Sequence, residues 1–273
     1  MGPVLVIGDR RKPAVEAAVE EIRPRLEKDF GVADIDLDCC VDVPTTKAAW
    51  AIVFGGDGAI LAASRRMGEN PIPTLAVNFG RLGFLTEAES KELPAALDRI
   101  AAGKFGLKQR MRLRMQLGDE IAYALNDVVF ASTMTARLIH VVARINRKEA
   151  LRYAGDGLVV ATPTGSTAYS LAAGGPILDP DLHATVITPL AAHTLSQRPL
   201  VIPSRERIEL LLDEGEQEGT VVVDGQWRRE VRAGDVVDVR TAEKPFEMIR
   251  VGLKSYYARL RRILGWGGRP KYS

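Results

Sequence analysis

Along the first hundred residues, short apolar runs alternate with apolar stripes at helical spacing. Val4 to Ile7 is a run of four that reads as a short buried strand. Val15, Val19, Ile22, Leu26 and Phe30 then recur at three- and four-residue steps, and Pro24 inside that stripe is expected to kink or split the helix. A second run, Ala48 to Phe54, ends in Gly55-Gly56-Asp57-Gly58, and helix formers (AILAASRRM) follow at once. Leu75 to Val77 reads as another strand. It leads into Asn78-Phe79-Gly80 and a helix carrying Leu93, Leu97 and Ile100. Strand, turn, helix, strand is the order of parallel βαβ units.

The period changes near Phe105. Leu107, Met111, Leu113, Met115 and Leu117 share one parity, while Lys108, Arg110, Arg112, Arg114 and Gln116 share the other. A period of two marks a strand with one wet face, so the basic row is expected to be solvated. Further strands are expected at 122–130, 138–145, 158–161, 208–212 and 221–223. Helical spacing returns through Tyr256, Leu260 and Ile263, with Arg259, Arg261 and Arg262 among them. The predicted architecture is an α/β N-terminal domain with a parallel Rossmann-like sheet (1–104), then a mainly β domain (105–248). A C-terminal segment (249–273) carries a helix that packs back on the first domain. No repeat or long linker separates them, so an extensive shared interface is expected.

Composition agrees with this picture. At about 150 residues per domain, 273 residues suffice for two domains, and 46% hydrophobic with 26% charged residues is an ordinary globular balance. A net charge of +2 gives no bulk electrostatic reason to bind nucleic acid or an anionic membrane. Cys39 and Cys40 cannot build a disulfide framework and lack zinc-ligand spacing, so they read as small apolar residues in a reducing compartment. The apolar run at the N-terminus is too short for a signal peptide, and none elsewhere approaches a membrane span. A cytoplasmic location is expected.

Two segments carry chemistry. In Gly55-Gly56-Asp57-Gly58, between a buried strand and a helix, glycines let backbone approach a ligand and the helix start favours phosphate. It is neither the Walker lysine loop nor GxGxxG. Asp57 either takes a proton from a hydroxyl nucleophile, helps place a metal ion, or merely caps the helix. Arg65, on the same helix, is a phosphate contact or a surface arginine. The second segment runs from Gly155 to Pro176 (GDGLVVATPTGSTAYSLAAGGP). Its cluster of hydroxyls and glycine offers partners to a polar ligand, and Tyr169 offers an aromatic face to a nucleobase. Thr164 and Ala168 stand where a GxSxG nucleophile elbow needs glycine, so Ser166 is not such a nucleophile.

GGDG, then NFGRLGFLT (78–86), Asn126-Asp127 and DGLVVATPTGSTAYSLAAGGPI (156–177) resemble the ordered signature blocks of the NAD kinase family. GGDG alone is shared with diacylglycerol and sphingosine kinases; the TPTGSTAYS block is far more specific. The resemblance implies phosphate transfer to the 2′-hydroxyl of the adenosine ribose of NAD, giving NADP. Asp57 would be the general base, and Gly55, Gly56 and Gly58, with Arg65, would lie near the donor phosphates. It implies NAD contacts from Asp57, Gly58, Asn126, Asp127, Arg137, Asp156, Thr167, Ala168, Tyr169, Ser170, Leu171, Ala172 and Gln226. Asp127 replaces a commoner Glu and is one methylene shorter, so a direct bond could become water-mediated. Ala59 and Ala172 stand where hydroxyl or amide residues are common.

The donor implied is ATP, with polyphosphate open. Mg2+ or another divalent cation would be held chiefly by donor phosphates and water, with no protein metal cage. NAD is expected at the domain junction, and a homodimer or homotetramer is implied. A GGDG-type lipid kinase would not need the TPTGSTAYS block, and a non-catalytic NAD(P)-binding regulator would not need Asp57. His140, His183 and His193 read as solvated or internally satisfied side chains, although His193 falls in a segment that the family places near substrate.

Overall fold

The computed structural model describes residues 1–266 other than 42, 81–82, 134–137, 192–195, 214, 216–217 and 253–254. Arg137 and His193 therefore lie outside the described residues. The chain begins with β1 (Val4–Ile7), α1 (Pro13–Asp29), β2 (Val32–Asp36), β3 (Trp50–Phe54), α2 (Asp57–Arg66) and β4 (Thr74–Asn78). Next come β5 (Ala88–Glu89), α3 (Leu93–Ala101) and β6 (Gly106–Arg110). Strands β7 (Leu113–Leu117), β8 (Glu120–Ala124), β9 (Asp127–Ala131), β10 (Ile139–Ile145), β11 (Lys148–Gly155) and β12 (Gly157–Ala161) follow. The short α4 (Tyr169–Ala172) precedes β13 (Ala184–Leu190), β14 (Leu200–Pro203), β15 (Ile208–Leu212) and β16 (Glu218–Val223). The last elements are β17 (Trp227–Arg232), β18 (Val237–Thr241), β19 (Phe246–Arg250) and α5 (Tyr256–Leu264).

The chain forms two compact units, Met1–Lys108 with Glu247–Ser273, and Gln109–Phe246. It leaves the first within β6 and re-enters it within β19. The first unit is built on a sheet of order β2-β1-β3-β4-β19-β6, with β5 also on β4. The pairings of β1 with β2 and β3, and of β4 with β3, β5 and β19, are parallel. β1, β3 and β4 are buried at every position, as parallel strands covered on both faces must be, which is why they read as continuous apolar runs.

Helix α1 buries Val15, Val19, Ile22 and Leu26, the stripe read from the sequence. It is not split at Pro24. The proline sits on the exposed side, where water can serve the carbonyl it leaves unpaired. α5 buries Leu260 and belongs to this unit, so the C-terminal helix does return to the α/β part. Cys39 and Cys40 are free and exposed rather than packed as apolar residues. No helix among the described residues is long and apolar enough to cross a membrane.

The second unit packs two six-stranded sheets, β11-β10-β15-β18-β7-β8 and β14-β13-β12-β9-β16-β17, around one core. Alternate residues of both meet there, among them Met115, Val141, Leu210 and Val239 from one sheet and Phe130, Val160 and Val221 from the other. The second sheet also buries its outer face, with Val129, Val159, Val186 and Leu178.

Two expectations fail here. The alternating stretch 107–117 is two strands, broken at Met111-Arg112, and Arg110 and Arg112 are buried rather than solvated. Arg112 donates through Nε and Nη2 to Lys244 O at 3.2 and 3.1 Å, and its guanidinium lies 4.8 Å over the Tyr123 ring. The run 122–130 is likewise two strands with a corner at Leu125-Asn126. That corner belongs to the candidate site.

Candidate active site

In the first unit, β3 delivers the chain into Gly55-Gly56 and α2 starts at Asp57, with Gly56 as its N-cap. The Gly55 N–H is taken by Val77 O at 2.9 Å, so that amide serves the sheet rather than a phosphate. Around Gly56 a side chain would meet nothing within 4 Å, so the loop is open there. Gly58 is exposed, and Arg65 sits in the last turn of α2, roughly 12 Å of helix rise from Asp57.

Both carboxylate oxygens of Asp57 are held. Phe84 N–H donates to Oδ2 at 2.8 Å and Leu85 N–H to Oδ1 at 3.0 Å. Gly83 permits this approach, because a Cβ there would stand 2.1 Å from Asp57 Oδ1. Two charge-assisted amide bonds, each worth about 1.5–3 kcal/mol, fix the carboxylate beyond what a helix cap requires. Each oxygen keeps a lone pair for a proton.

In the second unit, Asn126 lies in the corner after β8 and Asp127 starts β9. They line a cavity of about 320 Å³ together with Val129, Tyr169, Val222 and Asp224. Tyr169 is 49% exposed, as a ring available for stacking should be. Asp224 was not singled out from the sequence. It stands in a hairpin turn at φ 50°, and its Oδ2 accepts from Leu125 N–H (2.8 Å). Its Oδ1 accepts from Asn126 N–H (2.8 Å) and Asp127 N–H (3.0 Å). One carboxylate therefore fastens the whole corner. Burial pushes the Asp127 carboxyl up to about 7, and the charge of Asp224 pushes it the same way.

Hydroxyls of the 155–176 segment bond within the segment and to the strand corner beside it. Thr162 Oγ1 donates to Leu125 O at 2.6 Å and accepts from Gly165 N–H at 3.0 Å. Ser166 Oγ donates to Pro163 O at 2.6 Å and accepts from Leu178 N–H at 2.9 Å. These two hydroxyls brace the loop. Ser170 is fully buried, and its hydroxyl bonds Thr188 Oγ1 at 2.8 Å. Thr167 is half-buried with its hydroxyl on Thr164 O at 3.0 Å; Ala168 is half-buried and lines the cavity. Leu171 is half-buried, and Ala172, Asp156 and Gln226 are exposed. Gly165 lets the loop pass close to the corner, since a Cβ would stand 2.0 Å from Asn126 O. His140 and His183 are exposed. Among the described residues, no group of three or more His, Cys, Asp or Glu is arranged to hold a metal ion.

The architecture matches solved structures. Yeast NADH kinase complexed with NADH superposes with a TM-score of 0.90 at 21% identity, covering 100% of this chain and 90% of that one. An NAD kinase from Archaeoglobus fulgidus in complex with ATP gives 0.75 at 24% identity, covering 97% and 98%. By fold, the chain is of the class these two kinases share.

Sequence comparison narrows the class. The ATP-NAD kinase N-terminal domain model matches residues 27–105 and the ATP-NAD kinase C-terminal domain model residues 125–251. The NAD kinase of Rhodopirellula baltica is 37% identical over 271 residues, 97% of this chain and 87% of that protein. That of Heliobacterium modesticaldum is 42% identical over 221 residues, 79% and 78%. The chain belongs to the NAD kinase family.

Proposed function

We propose that the protein is an NAD kinase that phosphorylates the 2′-hydroxyl of the adenosine ribose of NAD with ATP, and that Asp57 is the base. The observation that carries the assignment of the base is the Asp57 carboxylate, fixed through both oxygens beside an open glycine loop. In the step, the ribose 2′-oxygen bonds to the terminal phosphorus of ATP as the bond to the bridging oxygen breaks. ADP leaves, and the hydroxyl proton passes to Asp57. Positioning and charge neutralisation supply most of the acceleration in such transfers.

Asn126, Asp127 and Tyr169 would bind the dinucleotide, the ring stacking on a base and the acidic corner meeting ribose hydroxyls. Mg2+ or another divalent cation would arrive on the donor phosphates, ligated by them and by water, and neutralise their charge. The same reading takes the protein as a cytoplasmic homodimer or homotetramer and leaves polyphosphate as a second donor. Sedimentation and a polyphosphate-for-ATP assay check these two points.

The test is NADP formation from NAD, ATP and Mg2+, read by an NADP-specific coupled dehydrogenase, with Asp57→Asn alongside. Loss of a positioned base is worth about 10²–10⁴ in rate, so Asp57→Asn is expected to bind NAD and turn over at least about a hundredfold more slowly. Near-wild-type turnover in the variant would remove Asp57 as the base. A wild type that binds NAD but forms no NADP would point to a binding regulator.

A further inference from the structure

We propose that Arg259, on α5, is a positioning residue for Asp57, acting through the single peptide that joins Phe84 to Leu85. The inference rests on Asp57 being the base. The peptide has two ends: its carbonyl, Phe84 O, accepts a hydrogen bond from Arg259 Nη1, and its N–H, on Leu85, donates to Asp57 Oδ1 at 3.0 Å. A trans peptide is planar, so its C=O and N–H point in opposite directions. Pinning the oxygen therefore fixes where the hydrogen points. A cation on the carbonyl also polarises the amide and strengthens its N–H as a donor.

The guanidinium is itself held. Its side chain is 11% exposed, and Nη2 lies 3.9 Å from Glu87, whose carboxylate is 2% exposed. Glu87 also pairs with Arg250 at 2.6 Å and accepts from the N–H groups of Val251 and Gly252 at 3.3 and 3.1 Å. Its own N–H is tied to Ala76 O of β4 at 2.9 Å. A planar fork suits this place, because one nitrogen addresses the carbonyl while another faces the carboxylate. Docking α5 alone does not demand a buried cation, since Leu260 supplies an apolar anchor.

The test compares Arg259→Met, which keeps the aliphatic stem, with Arg259→Lys, which keeps the charge. A displacement of about 1 Å at a reacting group can cost about a hundredfold. Arg259→Met is expected to lower kcat about tenfold or more, with KM for NAD and ATP within about twofold, and Arg259→Lys to recover part of it. In an Asp57→Asn background, Arg259→Met is expected to cost nothing further, because the two act as one unit. If Arg259→Met does not fold, Arg259→Gln, judged on kcat per NAD-binding site, takes its place. An unchanged kcat beside an inactive Asp57→Asn would overturn the inference and leave the base assignment standing. Equal losses from Arg259→Met in both backgrounds would also overturn it. Full turnover by Asp57→Asn alone would remove the reading beneath it, and the inference with it.

Discussion

Replacing Asp127 with asparagine isolates the electrostatics of the acidic corner. The wild-type carboxyl is 4% exposed beside Asp224, and burial first, then that neighbouring charge, raises it from 3.8 to about 7. Between those values the folded chain holds a proton that the unfolded chain has released. Stability therefore falls as pH rises from about 4 to about 7, and stays lowered above that. At about 1.36 kcal/mol per pH unit, the whole window is worth on the order of 4 kcal/mol. Asparagine has nearly the same shape and cannot ionise, so the variant escapes this loss. Urea denaturation of both proteins from about pH 4.5 to about pH 8 supplies the comparison. The stability difference is expected to grow in favour of Asp127→Asn by on the order of 3 kcal/mol across that range. Taking the difference cancels titrations of groups that do not interact with Asp127. A difference that stays constant with pH would refute the reasoning, because the carboxyl would then titrate alike folded and unfolded.

Two other substitutions probe the two units separately. Tyr169→Ala removes a stacking face worth about 1–3 kcal/mol per base, so KM for NAD is expected to rise roughly tenfold while KM for ATP holds; an unchanged NAD saturation curve would sink the stacking role. Gly83→Ala puts a Cβ where Asp57 Oδ1 stands 2.1 Å away. It is expected to cut kcat by about ten- to a hundredfold through a displaced carboxylate, and wild-type kcat in steady-state assays would show that the carboxylate tolerates the shift.

What the sequence made legible followed from local pattern. β1, β3 and β4 announced themselves because buried parallel strands carry no polar interruption, and α1 and α3 because their buried residues keep helical spacing. β17 stayed hidden, since WRREVR buries only Val231. The rest depended on partners far along the chain. Arg112 alternates like a solvated residue, yet its acceptor, Lys244 O, lies 132 positions away. Asp224 looks like any turn aspartate until the amides it holds, 97 to 99 positions upstream, fold beneath it. Glu87 reads as a loop glutamate, although its amide donors come 164 and 165 positions later. The hydroxyls of Thr162, Ser166 and Ser170 show the same limit: composition says that they can bond, but not whether the partner is ligand or loop. Asp57 was legible as chemistry, and the clamp on it was not.

The return of the chain through β19 and α5 has a consequence for biosynthesis. The β-sandwich is continuous in sequence and has all its strands once residue 246 has left the ribosome. At that moment β4 still lacks its partner β19, and Glu87 still lacks Arg250, Val251, Gly252 and Arg259. At about 5–20 residues per second, the closing segment arrives within a few seconds. During that interval the nascent chain carries a finished sandwich and an unfinished α/β unit. A chain halted there would hold the acidic corner, its aromatic ring and the two amides on the Asp57 carboxylate, but not Arg259 behind them, so the full set of contacts around that carboxylate would form only with β19 and α5.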